Sequence, residues 1–223
     1  MVRLKRNLLP AITASLVILV FQATGQLPPD DCSWDSPGNG GRKALKVRTA
    51  ADGREYTKYN KGKAINIEQW FTFTCGLDSL VPKAIPEDKP IAGAENVLVK
   101  VTGYLMGARF MRAGDHDLNL ELAASPDWNT DHIVVEMSAG KEYCEARKAA
   151  WKLIKKDGCK DDQCILKKPV KVTVTGYLLV GNPKPDQTDL CRVATGRGLK
   201  KDNADGRVRG LWRIQPAIAF KKG

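Results

Sequence analysis

The chain has 223 residues, with 36 Lys and Arg against 25 Asp and Glu, 43% hydrophobic residues and a formal net charge of +11. There is no repeat array or long low-complexity segment, and with only His116 and His132 present, neither a Ser-His-Asp triad nor a Cys-His pair is persuasive. The positive excess favours polyanionic partners such as nucleic acid, anionic envelope polymers or a membrane surface, with a basic surface that only confers solubility as the plainer alternative.

The first ten residues carry Arg3, Lys5 and Arg6 and no acid, and Ala11 to Phe21 follow without a charge. This is the n-region and h-region of a secretory signal over residues 1–25, with Ala23 and Gly25 as the small residues near the cut. The run is shorter than the about 20 apolar residues of a spanning helix, so the mature chain is expected to have no integral membrane span. Without Arg3, Lys5 and Arg6 the basic residues fall to 33 against 25 acidic, a net charge of +8. Export places the protein in the periplasm or outside the cell. There, six cysteines read as three disulfides, one of about 15 possible pairings. The pairing expected here is Cys32 with Cys75, Cys144 with Cys191, and Cys159 with Cys164. The last pair reads as a local bridge at a helix exit, since half a zinc site lacks partner ligands.

Residues 26–41 are rich in Pro, Gly and Asp and form a linker. Residues 42–94 form an N-terminal extension that begins with eight basic residues between Arg42 and Lys63, and Ile65 to Cys75 read as a strand. The remainder, 95–223, is more regular. Val97, Val99, Val101 and Leu105 alternate with Leu98, Lys100, Thr102 and Tyr104 in a first strand of this region. Leu118, Leu120 and Leu122 mark a second, and Ile133, Val135 and Met137 a third. Tyr143, Ala146, Ala150, Leu153 and Ile154 recur at helical spacing, with Glu142 and Glu145 at the start, Lys155 and Lys156 at the end, and Gly158 as the stop. Val170 to Val180 is a fourth strand, and Leu211 to Phe220 a fifth in which Pro216 implies a bulge or an edge.

The order β-β-β-α-β-β is that of a five-stranded OB-type Greek-key barrel with one helix. The near copies VKVTGYL at 99–105 and VTVTGYL at 172–178 fit a closed barrel whose first and fourth strands pair and coil at a glycine. Tyr104 and Tyr177 lie opposite the valine face, with the extension as their candidate cover.

Over residues 45–220 the chain resembles a group of uncharacterised exported bacterial proteins with an OB-like core. Their D-x-D-x-H-L pattern is matched by Asp115, Asp117, Leu118, Asn119 and Leu120, and their W-E-I-H-P-V pattern by Trp212 to Ala217. Looser matches are Lys46 to Asp52, Ile133 to Glu136 before Cys144, and Val172 to Gly176. Asn119 and Gln215 stand where the group has histidines, so a metal or acid-base site built on those imidazoles does not carry over.

Asp115 and Asp117 offer oxygen ligands to a calcium or magnesium ion, although Gly114-Asp115 is equally a turn. The connection from Gly181 to Gly210 is long and net positive. With Arg109 it supplies the candidate anion contacts Arg192, Arg197, Lys200, Lys201, Arg207 and Arg209, and residues 42–63 are a second candidate. On the second and third strands, Asn119, Glu121, Val134 and Glu136 face outward, which is not a basic aromatic platform. The expected function is an exported, non-enzymatic binding module for an anionic polymer or envelope component. No catalytic residue or cofactor is expected. The alternatives are a metal-dependent nuclease or phosphodiesterase around Asp115 and Asp117, and an envelope structural or assembly protein.

Overall fold

A computed structural model describes residues 42–46, 48, 57–111, 116–159, 162–184, 186–196, 198–201 and 206–223. The expected secretory signal over residues 1–25, the expected linker over 26–41, Cys32, Asp115 and Arg197 lie outside the described residues.

Five long strands form the barrel: β3 (Val97–Phe110), β4 (Leu118–Ala123), β5 (His132–Met137), β6 (Gln163–Val180) and β7 (Val208–Lys222). They run β3-β4-β5-β7-β6, and β3 also pairs with β6, which closes the sheet. The β5–β7 pair is parallel and the others antiparallel, the connectivity of an OB barrel. Closure follows from the alternation in the sequence. Val99, Val101, Leu105, Leu120, Val135, Val174 and Ile214 all point inward with no exposed surface. The two near copies pair with each other, from Val99 opposite Gly176 to Gly103 opposite Val172. A Cβ on Gly176 would lie 2.4 Å from Ile214 and 2.6 Å from the Pro216 carbonyl, so only glycine admits this approach of β7. The register shifts beside it, where Gln215 and Pro216 bulge opposite Tyr177.

Helix α3 (Cys144–Lys156) follows β5 and buries Ala146, Ala150, Trp151 and Ile154. Gly158, at a φ of +89°, ends it as expected.

The extension departs from its sequence reading. Instead of a strand from Ile65 to Cys75 there are two short strands, β1 (Thr57–Lys58) and β2 (Ile65–Asn66), both parallel to β3, and a helix, α2 (Ile67–Leu77). Two local signals favour the helix. Asn66 and Gln69 form a reciprocal capping box, and Ile67, Trp70, Phe71 and Thr74 fall on one buried face at helical spacing. That face joins the hydrophobic core of the barrel. A short helix, α1 (Lys43–Lys46), precedes these elements.

Arg42 and Arg48 are also corrected. Rather than presenting charge to a polyanion, both are about 95% buried. Arg42 forms an ion pair with both carboxylate oxygens of the fully buried Glu95. Glu95 in turn accepts the backbone N–H groups of Ile91 and Val180, each at 2.9 Å. Arg48 donates at 3.0 Å to the carbonyls of Glu95, Leu178 and Gln215, and its guanidinium lies 5.1 Å from the ring centre of Tyr177. The extension thus covers Tyr177, while Tyr104 stays half-exposed.

The disulfide pairing also differs. Cys75 bonds Cys191, with a Cα separation of 4.9 Å, because α2 brings Cys75 against the β6–β7 connection. Cys144 is likewise disulfide-bonded, so neither Cys32 with Cys75 nor Cys144 with Cys191 holds. Cys159 with Cys164 forms the local bridge expected. Disulfides of this kind belong to oxidising compartments. Among the described residues no helix is long and apolar enough to cross a membrane.

Candidate ligand-binding cleft

Alternation along the strands sets a polar patch on the outer face of β3, β4, β5 and β7. Arg109 pairs with Asn119, and Asn119 with Glu136, making one cross-strand row. Gly107, Glu121, Val134 and Arg213 make the next. Gly107 apart, these rows are the floor of a cleft of about 440 Å³, a size suited to a small ligand or part of a larger one.

The β6–β7 connection forms the roof. Leu199 is almost fully buried, with Met106, Ala123 and Trp128. It fits because Gly107 has no side chain: a Cβ there would sit 2.2 Å from Leu199 Cδ1. The Leu199 N–H donates to Glu121 Oε1, and Arg109 donates at 3.2 Å to the Gly198 carbonyl. Gly198 has a φ of +104° and lies so close to Glu121 and Val208 that a Cβ would contact both below 3 Å. Farther along, the Cys75–Cys191 bridge ties the roof to α2. Beside it Asp78 accepts the Cys191 N–H at 3.0 Å and the Trp212 indole N–H at 2.7 Å. Burial raises the Asp78 carboxyl above its ordinary pKa, against the lowering effect of these hydrogen bonds.

The charges in the cleft do not cancel evenly. Glu121 is held by His132 Nδ1 at 2.9 Å, and Glu136 by Arg213 at 3.1 Å. Among the described residues Arg109 bonds neutral acceptors, the Gly198 carbonyl and Gln163 Oε1 at 2.9 Å. Lys200, exposed at the edge of the roof, has no ion-pair partner among the described residues. Two cations without carboxylate partners among the described residues therefore share one cleft with an amide, Asn119, a hydroxyl, Thr195, and the two engaged glutamates.

Of the residues singled out from sequence, Arg109 and Lys200 line this cleft. The other described anion-contact candidates lie outside the lining. Arg192 lies 4.9 Å from the ring centre of Phe71, Arg207 donates to Asn129 at 3.1 Å, and Arg209 pairs with Asp131 at 3.2 Å. Lys201 is exposed outside the lining. Asp117 is buried and accepts a hydrogen bond from Gln215 Nε2 at 2.8 Å, which joins two positions that the sequence patterns had marked separately. The one cluster of possible metal ligands among the described residues is Cys75, Asp189 and Cys191, whose sulfurs are bonded to each other and are not thiolates. Asn119, Glu121 and Glu136 were expected on the outward face, Glu121 also as a helper to the Asp115 and Asp117 metal candidate, whereas Arg213 was not expected in a site. Their outward alternation on the face that OB barrels present to ligands was the available signal.

No protein-family profile matches the chain, and no curated protein matches it. Among solved structures it is similar to asparaginyl-tRNA synthetase of Entamoeba histolytica in complex with asparaginyl-adenylate, at 19% identity and a TM-score of 0.31. The match covers 60% of this chain and 22% of the synthetase, so this chain spans less than a quarter of that protein.

Proposed function

We propose that the protein is an exported, non-enzymatic binding module whose cleft over β4 and β5 takes an anionic group of an envelope component or polymer. The observation that carries this reading is the presence of Arg109 and Lys200, neither matched by a carboxylate among the described residues, in a cleft on the ligand face of an OB barrel. Both are placed to contact a carboxylate, sulfate or phosphate. Glu121 is held by His132 and the Leu199 N–H, and Glu136 by Arg213, so neither carboxylate engages Arg109 or Lys200.

The test is titration of the protein with fluorescent single-stranded DNA, RNA and polyuronate across a salt series, with magnesium, calcium or chelator present. Binding that weakens as salt rises is expected, without cleavage. Arg109→Gln and Lys200→Gln should each weaken it about tenfold, the loss of one charge-assisted contact of about 1.5 kcal/mol. Chelator-sensitive cleavage would overturn the reading. So would binding to which both variants are indifferent.

A further inference from the structure

The 47 residues of β3, β6 and β7 contain nine Lys and Arg and not one Asp or Glu. The strand register gathers several of these charges on a face separate from the cleft. On β3 the odd positions Val99 and Val101 point into the barrel, which turns Leu98, Lys100, Thr102 and Tyr104 outward. Across the ladder, Thr175 faces Lys100, Thr173 faces Thr102, and Lys171 faces Tyr104. On the next strand Lys221 lies opposite Thr173. On the other side, Lys58 of β1 lies opposite Leu98 and shares a shallow pocket of about 150 Å³ with Lys100.

Lys58, Lys100, Lys171 and Lys221 therefore lie on one outer face spanning four adjacent strands. None has an ion-pair partner among the described residues. Between them runs a row of hydroxyls, with Thr102 and Thr173 bonded to each other at 2.8 Å. A sheet face of like charges with no acid interspersed repels itself, and nothing in the folding of the barrel requires it.

We propose that this lysine face docks the protein on an anionic phospholipid surface. Three features select that partner. The charges spread in two dimensions, so a planar array of headgroups meets all of them, whereas a linear polymer meets only those on its track. They are all lysines, which act as point charges and lack the guanidinium fork suited to individual phosphates. Of the two tyrosines on this face, Tyr177 is buried under Arg48 and Tyr104 is half-exposed, so the face has no series of stacking platforms for single-stranded bases. Attraction of this type is delocalised and grows with each lysine brought near the surface. It leaves the cleft on β4 and β5 free.

The test is co-sedimentation of the full-length protein, after removal of any leader by the exporting host, with mixed phosphatidylglycerol–phosphatidylcholine vesicles and with pure phosphatidylcholine. Salt-sensitive partitioning onto the anionic vesicles alone is expected. The triple variant K100Q/K171Q/K221Q should partition on the order of a hundredfold less. The matching Lys→Arg triple should keep the binding, which excludes misfolding as the cause of the loss, and Lys200→Gln should leave it unchanged. Equal partitioning of the Gln triple, or no preference for anionic lipid, would overturn the proposal. A Gln triple that loses DNA or polyuronate binding but keeps vesicle binding would also overturn it and make a linear polymer the occupant.

Discussion

At the scale of single residues, the least replaceable side chain is Glu95. It has no exposed surface, holds Arg42 with both oxygens and accepts two backbone N–H groups from different parts of the chain. A buried pair of this kind gains little over a well-packed apolar pair, because desolvating two ions offsets most of their attraction. Removing one member is different. Glu95→Ala would leave the Arg42 guanidinium buried and two amides unpaired, which should lower stability by about 3–5 kcal/mol, read as a shift in the urea unfolding midpoint at constant slope.

Among the structural elements, the β6–β7 connection decides whether a cleft exists. A segment this long without regular structure is held only if something anchors it. Here Leu199 fills the space above Gly107, Glu121 accepts the Leu199 N–H, and Cys191 is bonded to α2. The bridge joins residues 116 positions apart, so it removes much freedom from the unfolded chain. The C75S/C191S double variant should lose about 2–5 kcal/mol of stability. Amide exchange measured on the same variant should quicken across residues 186–196 while the barrel strands stay protected, since the strand ladders do not depend on the bridge.

On the scale of the whole molecule, extension and barrel share one core. Trp70 and Phe71 of α2 pack in the same cluster as Val101 of β3 and Trp212 of β7, and Arg48 bonds carbonyls on β6 and β7. Elements that share buried surface unfold together. Thermal unfolding followed by far-ultraviolet circular dichroism and by tryptophan emission should therefore give coincident single transitions. An earlier transition in tryptophan emission alone would mean that α2 detaches from an intact barrel.

The sequence by itself determined the five barrel strands, α3, the pairing of the two near copies and the need for glycine at position 176. Each of these is written in a period of two or 3.6 residues, or in a short motif whose partner is another strand of the same kind. It also held the four outward residues of the cleft floor, through alternation alone. What only the tertiary structure decided is what those residues meet. Arg42 and Arg48 look in sequence like any other surface cations, and their burial depends on Glu95 and on carbonyls more than 40 positions away. Cys75 could be paired with Cys191 only after α2 and the roof were placed. The lysine face likewise comes from cross-strand register, because Lys100, Lys171 and Lys221 are distant in the chain and become neighbours only when β3, β6 and β7 pair. Local periodicity fixes the elements, while charge pairing and site formation are non-local and depend on how the elements are brought together.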